Sequence, residues 1–95
     1  MASSKDYLQY VLEYSSELSY RKMMGEYLIY YKGVLIGGIY DDRFLLKITP
    51  TVQKIGEDVK RAIPYDGGKE MIMIENLDDK DFTMTLIQKV YEDLK

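Results

Sequence analysis

Between Tyr27 and Ile48 the side chains alternate with a period of two in three short runs. Tyr27, Ile29 and Tyr31 alternate with Leu28 and Tyr30. Val34, Ile36 and Gly38 alternate with Leu35, Gly37 and Ile39. Phe44, Leu46 and Ile48 alternate with Leu45 and Lys47. Period two is the repeat of a strand. Lys32-Gly33 supplies a tight turn between the first two runs, because glycine takes positive φ at no steric cost. Asp41-Asp42-Arg43 supplies the next, because aspartate tolerates unusual turn geometry. With a shorter strand from Tyr20 to Met24 ahead of them, these runs predict an antiparallel meander. Both faces of its strands are apolar, whereas a sheet with one wet face alternates apolar with polar. The second face is therefore expected to be covered, by helices or by another subunit.

Helical periods flank the meander. Tyr7, Leu8, Val11, Leu12, Ser15 and Leu18 recur three or four apart, and Ser3 and Asp6 stand ahead of them with capping-box-like spacing. The spacing predicts a helix over 4–18. Thr49-Pro50 is a helix start, with Thr at the cap and Pro in the first turn. Val52, Ile55 and Val59 mark its inward face, Lys60-Arg61 suit its C-terminal end, and Gly56 keeps it short. Pro64 and Asp66-Gly67-Gly68-Lys69 form a loop. Met71–Ile74 is a last strand, and a final helix capped by Asp78 or Asp79 turns Phe82, Leu86, Ile87, Val90, Tyr91 and Leu94 inward. The order is α-β-β-β-β-α-β-α. It predicts an α+β fold with a mostly antiparallel five-stranded sheet and helices packed on it.

Composition narrows the chemistry. Ninety-five residues make one domain, 1–95, with room for one modest core. There is no cysteine and no histidine, which removes disulfides, thiol nucleophiles, thiolate metal sites and the side chain that titrates near neutrality. The formal net charge is −3. Residues 1–48 balance six Lys/Arg against six Asp/Glu, and 49–95 carry seven against ten. This acidic balance argues against binding nucleic acid through its phosphates. Arg21, Lys22, Arg43 and Lys47 form at most a local basic patch and read better as solvated strand ends. No apolar run has signal-peptide or membrane-span length, so the chain is expected in the cytoplasm, with no membrane contact.

The stretch Arg21-Lys22-Met23-Met24-Gly25-Glu26-Tyr27, leading through Tyr31-Lys32-Gly33, resembles the N-terminal domain of the TfoX/Sxy competence regulators. So do Asp42-Arg43-Phe44-Leu45-Leu46-Lys47, the aromatic loop Ile63-Pro64-Tyr65 and the strand Met71-Ile72-Met73. The likeness covers nearly the whole chain. It implies a TfoX N-terminal-like fold and a role in controlling competence genes through partners in transcription. The longer regulators carry a second domain after this one.

The residues themselves offer a surface rather than a reaction centre. Gly67-Gly68-Lys69 is followed by Glu70, where a phosphate loop requires a hydroxyl, so it reads as a turn. Asp78, Asp79 and Asp81 lack calcium-loop spacing and read as a helix cap; no metal or cofactor is expected. Ten tyrosines and no tryptophan suit an interface, because tyrosine joins a large ring to a hydroxyl. The contact surface is placed on Met24, Gly25, Glu26, Tyr27 and Tyr31. The expected function is that of a small non-enzymatic regulatory protein, forming a homodimer and acting through an unidentified protein partner. The alternatives are a chaperone-like peptide- or ligand-binding module, or a small enzyme using Glu26 and tyrosines. With no nucleophile–base pair visible, the enzyme is the weakest of these.

Overall fold

The structure, a computed structural model, describes residues 4–55 and 59–95. Ser3 and Gly56 lie outside the described residues. The order is α1 (Lys5–Leu12), β1 (Leu18–Met23), β2 (Glu26–Tyr31), β3 (Val34–Ile39), β4 (Phe44–Leu46), α2 (Pro50–Ile55), β5 (Arg61–Ala62), β6 (Met71–Ile74) and α3 (Lys80–Leu94). The strands form one antiparallel sheet in the order β1-β2-β3-β4-β6-β5.

The sheet therefore has six strands, not five. The second helix spans Pro50–Ile55, so Val59, Lys60 and Arg61, expected in its last turns, lie beyond it, and Arg61 and Ala62 pair instead with Ile72 and Met71. A two-residue strand shows no period of its own, so only its partner reveals it. The first helix ends at Leu12 rather than residue 18. Ser15 and Leu18 continue its spacing by coincidence: Leu18 pairs with Tyr31 as the first residue of β1 and is buried there. Ser4 caps α1, its hydroxyl accepting the Tyr7 N–H at 3.2 Å. β4 stops at Leu46, short of Ile48.

All three helices pack on one side of the sheet. Leu8 and Val11 of α1, Val52 of α2, and Leu86, Ile87 and Val90 of α3 share one core with Tyr27, Ile29, Tyr31, Ile39, Phe44, Leu46, Ile72 and Ile74. These strand residues are every second one, as the pleat requires. Ile36 breaks the alternation. The pairing passes from Ile29↔Gly37 to Tyr30↔Leu35, so Ile36 is the extra residue of a bulge. That irregularity lets it join the core with no exposure.

One further helix expectation needs correction. In α3 the buried stripe is Thr83, Leu86, Ile87 and Val90, while Phe82 and Leu94 are 42% and 40% exposed. Phe82 sits one position, about 100°, off that stripe. The α3 N-cap is Asp79, whose carboxylate accepts the Phe82 N–H at 3.2 Å. At α2 the backbone of Thr49 takes the cap position, with the Gln53 N–H donating to its carbonyl. The side chain that satisfies the helix start comes from α3: Asp93 accepts from the Thr51 N–H at 2.9 Å and the Thr51 hydroxyl at 2.7 Å. The Thr49 and Thr51 hydroxyls, followed by the Thr51 N–H, hold the Asp93 carboxyl below its ordinary range. Thr49 Oγ1 contributes by proximity, without a hydrogen bond of regular geometry.

Among the described residues no helix lies on the other side of the sheet. The pairing places Arg21, Leu28, Gly38, Leu45 and Met73 in one row across it, with Ser19, Tyr30 and Leu35 in the next. Leu28, Tyr30, Leu35, Met71 and Met73 are half-buried. Leu45 is fully buried yet separate from the helix-side core. The helices thus cover one of the two apolar faces.

Candidate functional site

The turn between β1 and β2 is built from an unexpected residue. Met24 has φ 51° and Gly25 φ 87°, the two positive φ values of a two-residue type I′ hairpin. Glycine adopts this freely; methionine does so at about 1–2 kcal/mol. The Met24 side chain gains no burial in return: it is 98% exposed, the most exposed large apolar side chain in the described chain. Met24→Asn, which supplies the preferred Asn-Gly turn, should stabilise the fold by about 0.5–1 kcal/mol. In a domain of this size that is a rise in Tm of roughly 2–8 °C by thermal denaturation. An unchanged or lowered Tm would mean that the turn carries no strain.

Glu26 follows the turn. Its carboxylate accepts the Asp41 N–H at 2.8 Å, tying the β1–β2 hairpin to the turn after β3. Asp41 and Asp42 also have positive φ, 53° and 54°, and the Asp42 carboxylate accepts the Ser4 N–H at 2.7 Å. Arg43 then fastens a third segment. Its Nε donates to the Tyr40 carbonyl at 3.1 Å, and Nη2 reaches the carbonyls of Ile63 and Pro64, each at 3.4 Å. The aromatic loop is thereby held against the corner of the sheet.

At that corner lies an apolar recess of about 400 Å³, lined by Met23, Met24, Glu26, Tyr40, Pro64 and Tyr65. The rings of Tyr40 and Tyr65 have centroids 6.1 Å apart at 57°. Gly38 makes room for Tyr40, since an added Cβ would stand 2.7 Å from that ring. Burial, with the neighbouring Tyr65 and Glu26, raises the Tyr40 pKa above its ordinary value. Tyr65 and Met23 remain 59% and 37% exposed. The recess offers an apolar, aromatic-walled surface with one engaged carboxylate at its edge.

The contact residues named from sequence divide between two places. Met24, Gly25 and Glu26 sit together at this corner. Tyr27 and Tyr31 are buried, 5% exposed each, on the helix side of the sheet, where Tyr31 meets Tyr91 edge-on at 5.3 Å. Tyr40, Pro64 and Tyr65 join the corner instead. Tyr65 was legible only as part of an aromatic loop, because nothing in the local pattern ties that loop to residues 23–26. The basic residues do not gather into one patch either: Arg21 and Lys22 alternate to opposite faces of the edge strand, and Arg43 is spent on backbone carbonyls. Of the three aspartates, Asp79 caps α3 and Asp78 accepts from the Tyr10 hydroxyl. Among the described residues no group of three acidic side chains is placed to hold a metal ion. None of the described helices is long and apolar enough to cross a membrane.

No model of a known protein family matches the chain, and no curated protein matches it.

Proposed function

We propose that this chain is a non-enzymatic regulatory protein that works through protein contacts, as the resemblance to the N-terminal domain of the TfoX/Sxy competence regulators implies. The transcriptional setting comes from that resemblance alone. The observation that carries the contact reading is Met24: an almost fully exposed methionine held at positive φ beside an apolar recess. Backbone strain clusters at functional sites, and here it coincides with an apolar recess rather than with a lone exposed side chain, which supports a surface kept for binding. The engagement of Glu26 by Asp41 supports a contact role over an acid–base one, because that carboxylate is already part of the scaffold. Capture of protein partners from the native cytoplasm is the test, comparing the wild type with Met24→Asn and Tyr65→Ser. Both variants should lose the same partners. If both recover the wild-type set, the corner is not the contact surface.

The helix-free face supports a homodimer. Its half-buried Leu28, Tyr30, Leu35, Met71 and Met73 form the apolar centre that subunit interfaces favour, and a second copy would complete the cover that the sequence pattern calls for. Leu28→Glu puts a carboxylate in the middle of that row. Sedimentation equilibrium at micromolar concentration should give twice 11.1 kDa for the wild type and the single-chain mass for Leu28→Glu. A wild-type protein that stays at the single-chain mass removes the dimer and leaves the corner untouched.

A further inference from the structure

A second recess shares Tyr40, Pro64 and Tyr65 with the first. It encloses about 600 Å³ and is lined besides by Lys47 and Ile48 beyond β4, by Gly67, Gly68, Lys69 and Glu70, and by Met71 at the start of β6. That volume is in the range of small-molecule sites. Its lining carries two lysines and one carboxylate, with Asp66 in the adjoining turn. Glu70, the acidic side chain on its wall, pairs with Arg61 at 3.4 Å. Lys47 and Lys69 meet no carboxylate among the described residues. Lys47 is moreover half-buried, and partial loss of water strengthens the attraction of its ammonium for an anion. Two lysines with no carboxylate partner among the described residues stand out in a protein of net charge −3.

The walls are held by the backbone. The Lys47 N–H donates to the Ile36 carbonyl at 2.9 Å, and the Gly68 N–H closes its turn on the Tyr65 carbonyl at 2.9 Å. Pro64 is buried, and Arg43 holds its carbonyl and that of Ile63. The recess is thus lined by two tyrosines and two lysines on a frame fixed by backbone hydrogen bonds. Rings stack on a planar ligand and ammonium groups take its charge, the combination that a small-molecule site uses to fix orientation.

We propose that this recess binds a small organic anion consisting of a planar ring joined to a carboxylate or a phosphate. The test is a titration of ¹⁵N-labelled protein, followed by amide shifts, with benzoate, AMP and inorganic phosphate. Benzoate or AMP should saturate shifts at Tyr40, Lys47, Gly67, Gly68 and Lys69, with Kd on the order of 1 mM or tighter; which of them binds more tightly tells carboxylate from phosphate. Lys47→Met and Lys69→Met should each weaken that binding about tenfold, a change of ~1.4 kcal/mol. Tyr65→Ser should do the same, while Lys32→Met, whose ammonium lies over Tyr31 and Tyr91, should leave it unchanged. Lys69 and Tyr65 are exposed, so their variants remain informative if Lys47→Met perturbs the fold. The proposal is overturned if neither ring anion gives saturating shifts, if inorganic phosphate binds as tightly as AMP with no binding of benzoate, or if the Lys69 and Tyr65 variants bind like the wild type.

Discussion

Gly37→Ala is expected to destabilise the protein by about 3 kcal/mol or more, the upper end of what overpacking costs. A Cβ at this position would stand 2.1 Å from the Leu45 carbonyl oxygen and 2.9 Å from the Leu46 Cα. Both atoms belong to the backbone of β4, so no rotamer change relieves the clash. Relief requires β3 and β4 to separate where Gly37 pairs with Leu46 and Gly38 with Leu45. Those strands are central, and β4 alone joins the meander to β6. A domain of this length has about 5–15 kcal/mol in total, so the substitution removes a large fraction of it. Urea denaturation followed by circular dichroism measures the loss. Gly33→Ala is the control: its added Cβ meets nothing within 4 Å, leaving only the strain of φ +81°, about 1–2 kcal/mol. A Gly37 variant no less stable than the Gly33 variant would show that the β3–β4 contact yields easily.

The meander was legible because its two strongest signals agree. Apolar alternation places Tyr27, Ile29 and Tyr31 on one face, and Lys32-Gly33 supplies a turn the chain takes at the expected place, with φ 49° and 81°. The preceding hairpin was harder to read. Met24 is a poor turn former, so Met24-Gly25 carries no clear sequence signal of the type I′ turn that its φ values of 51° and 87° form. β5 was hidden because its two residues exist as a strand only through Ile72 and Met71. The end of α1 was misplaced because Leu18 fits a helical stripe and a strand equally well, and its pairing with Tyr31 decided between them.

The site was legible in part, for the same reason. Met24, Gly25 and Glu26 are neighbours in sequence, and a local reading finds them. Tyr40, Pro64 and Tyr65 reach the same corner through long-range bonds, from Glu26 to Asp41 and from Arg43 to the carbonyls of Ile63 and Pro64. Such bonds have no periodic signature. Tyr27 and Tyr31 show the converse: their aromatic chemistry suits an interface, but their register places them with the core. For tyrosines in a strand, parity along the chain decides between the two roles, and Tyr30, one residue away, takes the opposite face.

Phe44→Ala is the second large effect expected, a loss of about 3–5 kcal/mol. Phe44 is fully buried in β4, paired with Ile39 on one side and Ile74 on the other. Its N–H donates to the Tyr7 hydroxyl at 3.1 Å, which brings α1 onto the same strand. Truncation leaves this backbone bond in place but opens a cavity between three strands and the helices above them. Burial raises the pKa of Tyr7, against the lowering effect of the bond from Phe44, so loosening this packing should bring the Tyr7 pKa back toward its ordinary value. The stability loss is read by urea denaturation, and the titration by the ultraviolet difference spectrum at alkaline pH. A stability loss without movement of the Tyr7 titration would place the cavity's relaxation away from α1. A loss below about 1 kcal/mol, well under the range for a buried aromatic, would mean that the core closes over the gap, contrary to a packing in which β4 is the strand on which both sheet halves and α1 converge. Because Arg43 and the loop it holds adjoin Phe44, the same variant should also weaken binding at the tyrosine corner. Gly33→Ala, in a turn that contributes no residue to either recess, should leave that binding intact.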